Sequence, residues 1–317
     1  MKKLYIAIVT VVLSLVGNSV WASNSVEENN NASASSTTYY INAPRFVRPL
    51  IEKWISEYKK VAPQANFAIA KTAESKSKSK LNILLEEKDN DNKLVEKNVY
   101  FAQYAIFPVA GKNSDAAKEF GKQELNAKNV KALYFEKDDF EELDKNEKKA
   151  AAYVVYSGSG NQSVSAEFAS HYGKDASTFR GKRIVGDDQF LNSAILKDPK
   201  GITFNAIPNL YDLSTRQLKA DLALLPLDVD KNQRAAFEEG ATLDDVLQVL
   251  ENTKGNNIPV ERIGFSFQGD DVAISQFISW VLSEGESYNH EYGLLRLDAT
   301  LVAQQVKELS TRLTAQK

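Results

Sequence analysis

Short apolar runs alternate along the chain with segments whose apolar residues recur every three or four positions. The apolar runs predict strands at residues 38–41, 65–70, 81–85, 99–109, 130–135, 150–156, 201–204, 222–227 and 260–267, with a short apolar stretch at 184–185. The helical spacing predicts helices at residues 46–60, 165–172, 189–197, 243–250, 273–282 and 301–313. This alternation predicts an α/β fold with mainly parallel strand pairing.

Three polar segments interrupt this pattern. Serines and lysines alternate over residues 74–80, which predicts a polar loop. An ordinary solvent-exposed surface is preferred here over a basic surface that attracts anions. Residues 86–92 are acidic and predict a turn, and residues 138–149 predict a charged, solvated helix or loop.

The first 22 residues have the pattern of a secretory signal peptide. Two lysines precede an apolar run of 13 residues over positions 4–16, which is shorter than the roughly 20 residues that span a bilayer. Val20 and Ala22 are spaced as the −3 and −1 positions of a cleavage site, so cleavage after Ala22 is preferred over a retained anchor. Residues 23–37 are polar and predict a disordered tether.

Composition excludes several classes of function. The chain has no cysteine, so disulfides, thiol catalysis and thiolate metal sites are excluded. Its net charge is −3, and loss of the two N-terminal lysines would lower it to −5, which argues against a nucleic-acid partner. Only two histidines are present, His171 and His290, far apart in sequence. A histidine-rich metal site and a Ser-His hydrolase therefore have little support, and no cofactor is expected.

The segment with the clearest chemical character is residues 157–163, Ser-Gly-Ser-Gly-Asn-Gln-Ser. It follows a predicted strand and precedes a predicted helix. Glycines allow close approach of the backbone, and the first N–H groups of a helix are unpaired, so such a loop can hold an anion. The alternative is an ordinary strand-to-helix turn in which Ser163 is the N-cap.

Several segments, taken in order, resemble the PstS-like phosphate-binding proteins of bacterial ABC importers. Residues 40–43 and 49–58 are similar to the first strand, first ligand loop and first helix of that family, and residues 157–168 to its Ser-Gly-Thr loop and helix. The other similar segments are residues 104–110, 198–204, 258–262 and 277–285.

The resemblance implies a two-lobed periplasmic-binding-protein fold of type II, with a mixed sheet in each lobe and crossover strands between them. Lobe one would comprise residues 38–110 and 258–317, and lobe two residues 111–257. The protein would be a periplasmic, monomeric, non-enzymatic solute-binding protein that binds inorganic phosphate or a related oxyanion in the cleft between the lobes. Its partner would be an inner-membrane ABC permease or another envelope complex. Together they would take up the ligand or sense its level.

The same resemblance implies the ligand residues. The loop would contribute Ser157, Ser159, Asn161, Gln162 and Ser163. Arg45 would supply positive charge, with a surface arginine as the alternative, and Thr72 and Ser75 are weaker candidates.

Other positions depart from the family pattern. The first ligand loop, residues 43–46, has no hydroxyl, and residues 72–80 have neither the glycine nor the aspartate of the second. Tyr153 stands where the family has an arginine. The alternative function is therefore a ligand-free envelope interaction module, with the aromatic strand at 99–107 and the acidic segments as contact surfaces.

Overall fold

The computed structural model of the chain describes residues 37–85, 96–137, 145–253 and 257–315. The predicted signal peptide, its cleavage site, nearly all of the tether and the acidic turn at 86–92 lie outside the described residues, as do residues 138–144 of the charged segment at 138–149. Within the described ranges, no helix has both the length and the apolar character needed to cross a membrane.

Strands and helices alternate along the described chain, as the hydrophobic pattern predicts. The strands are β1 (Thr38–Asn42), β2 (Asn66–Ile69), β3 (Leu81–Leu85), β4 (Glu96–Gly111), β5 (Val154–Ser159), β6 (Lys182–Val185), β7 (Gly201–Ala206), β8 (Leu222–Leu224) and β9 (Val260–Gln268). The helices are α1 (Arg48–Val61), α2 (Ala73–Ser77), α3 (Asp115–Phe120), α4 (Ala127–Tyr134), α5 (Lys145–Ala150), α6 (Ser165–His171), α7 (Gln189–Ile195), α8 (Ile207–Leu210), α9 (Leu243–Asn252), α10 (Val272–Ser283) and α11 (Ala299–Ala315). Short 3₁₀ turns lie at Arg45–Val47, Ala176–Thr178, Arg234–Phe237, Gly285–Tyr288 and His290–Tyr292.

The strands pair in the order β2-β1-β3-β9-β4-β7-β5-β6, and β8 pairs with β4. Parallel pairs join β1 to β2, β1 to β3, β5 to β6 and β5 to β7. All pairings of β4 and β9 are antiparallel. The prediction of mainly parallel pairing is therefore wrong: the two long strands at the centre run against their neighbours, and the sheet is mixed.

Strand β4 belongs to both halves of this sheet. Residues 96–105 pair with β9, whereas residues 106–111 pair with β7 and β8. The pairing register with β9 shifts between Tyr100 and Ala102, as at a β-bulge. One continuous strand thus carries the chain from the half-sheet of β1, β2, β3 and β9 to the half-sheet of β5, β6, β7 and β8.

Each half-sheet is covered by its own aromatic cluster. In the first, the ring of Trp54 on α1 meets Phe101 edge-on with centroids 4.9 Å apart, and its Nε1 donates to the carbonyl of Gly285 at 2.7 Å. In the second, Phe168 on α6 stacks on Phe204 of β7 with centroids 4.1 Å apart. These buried rings fix α1 and α6, the helices that follow the first strand and the serine-rich loop.

Two predicted elements are wrong. The strand predicted at 130–135 is helix α4: the Asn126 side chain accepts from the N–H of Asn129 at 2.9 Å, and Val130, Leu133 and Tyr134 are buried along one helical face. The loop predicted at 74–80 contains helix α2, capped by Thr72. Strand β3 coincides with its prediction, and the predicted helices at 165–172, 189–197 and 273–282 match α6, α7 and α10 within two residues.

Candidate functional site

A cleft of about 650 Å³ lies between the two half-sheets. On one side are the ends of β1, β3 and β9; on the other is the loop between β5 and α6. Its described lining residues are Asn42, Asn82, Ile83, Leu84, Leu85 and Ser266 on the first side, and Gly158, Ser159, Gly160, Asn161, Gln162, Ser163, Ser165, Ala166, Glu167, Ala176 and Arg183 on the second. This volume is within the range of small-molecule sites.

The cleft loop, residues 158–164, begins where β5 ends. The N–H of Ser163 donates to the carbonyl of Gly160 at 3.1 Å, which closes a turn, and Gly160 has φ 107°, a left-handed conformation that suits glycine. Because β5 and β6 are parallel, with Ser159 opposite Val185, the residues that follow β6 emerge at the same sheet edge. Residues 186–188 therefore lie beside the cleft loop.

The hydroxyls of Ser159, Ser163 and Ser165, in and beside the loop, have partners within the chain. The Oγ of Ser159 donates to the carbonyl of Ile184 on β6 at 3.4 Å. The Oγ of Ser165 accepts from the N–H of Gly158 at 2.9 Å, and the Oγ of Ser163 accepts from the N–H of Ser165 at 3.3 Å. The two hydroxyls lie 2.9 Å apart, and Ser163 is buried. Val164, not Ser163, occupies the N-cap position of α6, so the interpretation of Ser163 as N-cap is wrong.

A carboxylate sits against the inner face of this loop. The Oδ2 of Asp188 accepts from the N–H of Val164 at 2.9 Å, and Asp188 is only 4% exposed. Its Oδ1 makes no hydrogen bond within the described part of the chain. A β-carbon at Gly158 would lie 2.5 Å from that Oδ1 and would overlap the Ser163 hydroxyl, so the carboxylate fits only because residue 158 is glycine.

Burial raises the pKa of the Asp188 carboxyl to about 6. The hydrogen bond from Val164 and the nearby hydroxyl of Ser163 lower the pKa, since both stabilise the ionised form, and the neighbouring charge of Asp187 raises it further. Asp188 is therefore ionised at neutral pH and becomes protonated in mild acid.

Three buried asparagines hold the segment that carries Asp188. The Nδ2 of Asn205, on β7, donates to the carbonyl of Asp188 at 2.8 Å and to the Oδ1 of Asn192 at 3.1 Å. The Nδ2 of Asn209 donates to the Oδ1 of Asn205 at 2.8 Å. Asn192 in turn donates to the carbonyl of Asn209 at 2.9 Å. This closed network fixes the β6–α7 turn on β7.

Two polar contacts cross from one side of the cleft to the other. The Nε2 of Gln162 donates to the Oδ1 of Asn42 at 3.1 Å. The Nε of Arg45 lies 3.6 Å from the Oδ2 of Asp187 in an ion pair whose arginine is half exposed. The Nδ2 of Asn42 also donates to the Oδ1 of Asn82 at 3.3 Å, so the amide of Gln162 joins a pair of amides on β1 and β3.

The described cleft lining contains one cation, Arg183, and one acid, Glu167. Arg183 lies on β6 and is exposed, and its Nη2 donates to the carbonyl of Ala176 at 2.8 Å. Glu167 is in the first turn of α6 and is 5% exposed. An arginine can attract an anionic group into the cleft, and a carboxylate can accept a hydrogen bond from a ligand that carries a proton.

The predicted ligand residues are only partly brought together. Ser159, Asn161, Gln162 and Ser163 line the cleft. Ser157 is 1% exposed and lies outside the described lining, and its Oγ has no partner among the described residues.

The remaining three candidates also lie outside the described lining. Arg45 pairs with Asp187. Thr72 and Ser75 form the capping box of α2, in which each side chain accepts the backbone N–H of the other.

The sequence pattern did not point to five residues of this site, Asn42, Asn82, Glu167, Arg183 and Asp188. A signal for Asp188 and Arg183 was present in the short apolar stretch at 184–185: had it been taken as a strand parallel to the one before the serine-rich loop, its flanking residues would have been expected at the loop. Within the described ranges, no group of three or more His, Asp or Glu side chains could hold a metal ion.

No protein-family model matches this chain. No curated protein matches it either. Solved structures do match. A substrate-binding protein assigned to a phosphate ABC transporter of Clostridium perfringens, with phosphate bound, aligns over 83% of this chain and 100% of its own, with TM-score 0.58 and 14% identity. An ABC-type phosphate transport receptor from Vibrio cholerae aligns over 82% and 100%, with TM-score 0.53 and 10% identity.

These likenesses confirm the predicted fold, a mixed α/β periplasmic-binding-protein fold of type II. The resemblance to phosphate-binding proteins is thus confirmed at the level of the fold.

Proposed function

We propose that this chain is an exported solute-binding protein, not an enzyme, and that its cleft binds a small solute bearing an oxyanion group, with inorganic phosphate as the first candidate. The observation that carries the proposal is the hydrogen bond between Gln162 and Asn42, which joins the two sides of a polar cleft of about 650 Å³. A space bounded by two separate half-sheets is where a solute could be enclosed.

The polar groups of the cleft suit such a ligand. Arg183 would bind the anionic group, and the side chains of Ser159, Asn161 and Gln162 would donate hydrogen bonds to its oxygens. Glu167 would accept a hydrogen bond, which favours an oxyanion that retains a proton over a fully ionised one.

The two half-sheets would be the moving parts. The sequence-based boundary after residue 110 moves to residue 105, where β4 changes partners, so we assign residues 38–105 and 258–317 to lobe one and residues 106–257 to lobe two. Binding would stabilise the closed arrangement of the lobes by hinge closure at the two places where the chain crosses between them, within β4 and just before β9.

The proposed location is the periplasm. The first 22 residues have the pattern of a cleaved signal peptide, and residues 23–37 would link the folded part to the cleavage site. The protein would act as a monomer and deliver its solute to an inner-membrane ABC permease or report its level. The two neighbours, which belong to phosphate transport, support this assignment.

A thermal-shift and calorimetric screen of the exported chain tests the proposal. Phosphate, sulfate, molybdate and a phosphorylated sugar would be compared at equal ionic strength. A ligand at about 100 times its Kd adds about 2.7 kcal/mol to the stability of the native state, which raises the melting temperature by several degrees. Arg183→Gln should abolish this rise, whereas Arg234→Gln, at an exposed ion pair with Glu124, should retain it. A melting temperature unchanged by every ligand would refute the proposal.

A second candidate is a ligand-free envelope interaction module. Two polar groups that could otherwise bind an anion already have partners within the chain, which favours this candidate. The N–H of Val164 donates to the carboxylate of Asp188, and Arg45 pairs with Asp187. A flat oxyanion screen together with a stable membrane complex, isolated from cells with the tagged chain, would support this candidate over the first.

A further inference from the structure

We propose that the solute of the cleft is a phosphorylated polyol, such as a sugar phosphate. Its phosphate group would bind at Arg183, and its hydroxyl groups would bind the side-chain amides of Gln162 and Asn82. This inference rests on the proposed function and deepens it, because it names the class of organic molecule that carries the oxyanion. Inorganic phosphate would occupy only the part of the cleft at Arg183.

Three side-chain amides form a chain of hydrogen bonds from the serine-rich loop to β3. The Nε2 of Gln162 donates to the Oδ1 of Asn42 at 3.1 Å, and the Nδ2 of Asn42 donates to the Oδ1 of Asn82 at 3.3 Å. All three residues line the cleft. Because the bonds run head to tail, the chain leaves an acceptor at one end, the Oε1 of Gln162, and a donor at the other, the Nδ2 of Asn82.

These two ends of the amide chain suit hydroxyl groups. An amide oxygen only accepts, so the Oε1 of Gln162 needs a proton donor on the solute, and a fully ionised phosphate has none. The proton of a singly protonated phosphate is the one that Glu167 would accept in the proposed function. A hydroxyl group both donates and accepts, so neighbouring hydroxyls on a carbon skeleton can bind Gln162 and Asn82 together.

Charge lies on one side of the described lining. The lining residues of β1, β3 and β9 are uncharged, whereas Arg183 and Glu167 are on the opposite side. Arg183 is on β6, the last strand of its half-sheet. A solute that contacts both Arg183 and Asn82 therefore has its anionic group at one end and an uncharged polar part at the other. The cleft volume of about 650 Å³ is in the range of sites for small organic molecules, and a phosphate ion alone fills a small part of it.

Calorimetric titration of the exported chain at pH 7 tests the proposal. Methyl phosphate, which has the same anionic group but no hydroxyl on its skeleton, is compared with glycerol 3-phosphate, ribose 5-phosphate and glucose 6-phosphate. We expect at least one of these polyol phosphates to bind about tenfold more tightly than methyl phosphate and inorganic phosphate, as added hydrogen bonds to hydroxyls would give. If none of them binds more tightly than methyl phosphate, the proposal is overturned.

Asn82→Ala tests whether the amide chain binds the hydroxyl groups. This variant should lose about tenfold in affinity for the preferred polyol phosphate and bind methyl phosphate as the wild type does. Arg183→Gln should lose affinity for both ligands. An equal loss for both ligands in Asn82→Ala would contradict the assignment of the hydroxyls to this amide.

The matched control is Asn98→Ala. Asn82 and Asn98 both lie opposite Ser266 of β9, one on each side of it, but Asn98 is exposed and outside the described lining. Asn98→Ala should therefore bind both ligands as the wild type does. If it weakens the polyol phosphate as much as Asn82→Ala does, the effect does not arise in the cleft and the proposal is overturned.

Failure of this inference can be told apart from failure of the proposed function. If inorganic phosphate and methyl phosphate bind but the polyol phosphates bind no more tightly, the proposed function stands and this inference is wrong. If no phosphate compound binds, both are wrong. The comparison of ligands on the wild type needs no variant, so it decides the question even if Asn82→Ala does not fold.

Discussion

Gln162 and Asn42 are 120 positions apart, and a hydrogen bond of 3.1 Å between their side-chain amides joins the serine-rich loop to the end of the first strand. Gln162 is in the loop after β5, and Asn42 is the last residue of β1, which belongs to the other half-sheet. The contact is one of two that join the two sides of the cleft, the other being the ion pair of Arg45 with Asp187.

We expect Gln162→Ala to open the cleft with little loss of stability. Loss of one partly exposed hydrogen bond lowers the free energy of unfolding by about 1 kcal/mol. The same bond, however, helps to limit how far the two sides of the cleft can separate. Small-angle scattering should give a larger radius of gyration for the variant than for the wild type. Gln304→Ala, which removes an exposed amide that bonds Glu308 on α11, should leave the radius unchanged. Equal radii for all three proteins would show that the contact does not hold the cleft.

Gly158→Ala tests the fit between the loop and Asp188. The added β-carbon would overlap the Ser163 hydroxyl and lie 2.5 Å from the Asp188 Oδ1, so the buried turn must shift. We expect a loss of about 2 kcal/mol in the free energy of unfolding, measured with urea.

The matched control for that substitution is Gly111→Ala. A β-carbon there would meet its nearest neighbours at 3.5–3.7 Å, which is ordinary packing distance. It should therefore lose well under 1 kcal/mol. If the two alanine variants are equally stable, the loop is looser around Asp188 than its contacts indicate.

Asn205→Ala should be among the most damaging polar substitutions in the described chain. Its side chain bonds the Asp188 carbonyl, Asn192 and Asn209, so its removal leaves several buried polar groups without partners. Each such group costs about 1–3 kcal/mol, so a loss of about 3 kcal/mol is expected on chemical denaturation. Asn252→Ala, whose amide is exposed at the end of α9, should lose less than 1 kcal/mol. A similar loss in both variants would argue against a network.

The sequence predicted the elements well where the signal is local. The apolar run at 81–85 is β3, and helix α1 carries Pro49 in its first turn, as expected. The apolar run at 130–135 was misjudged because a short run does not distinguish a strand from a buried helix. Here Asn126, four residues earlier, caps a helix and decides the outcome.

The candidate site was only half predictable for a different reason. The cleft loop can be recognised from the sequence because its glycines and serines are contiguous. Arg183 and Asp188 reach the loop only through the parallel pairing of β5 with β6, and Asn42 only through the approach of the two half-sheets. These relationships join positions 20 to 120 residues apart, and no local pattern records them.

The protonation of Asp188 gives a prediction for pH. Burial raises its pKa to about 6 from the ordinary 3.8, so the folded state holds the proton more tightly than the unfolded state. Its contribution to stability is therefore fully present below about pH 4 and is lost as the pH rises to about 6. A shift of this size corresponds to about 3 kcal/mol, and the contribution levels off above about pH 6.5.

The comparison that isolates this group is between the wild type and Asp188→Asn, which cannot titrate. Urea denaturation at intervals from pH 4 to pH 7.5 would give the free energy of unfolding of each protein. Other titrating groups affect both proteins alike. The difference between the two free energies of unfolding should therefore change by about 3 kcal/mol in favour of Asp188→Asn as the pH rises, and should level off above pH 6.5. Asp187→Asn, at the neighbouring ion pair with Arg45, should not reproduce this change. A difference that stays constant with pH would mean that Asp188 ionises in the folded protein as readily as in the unfolded chain.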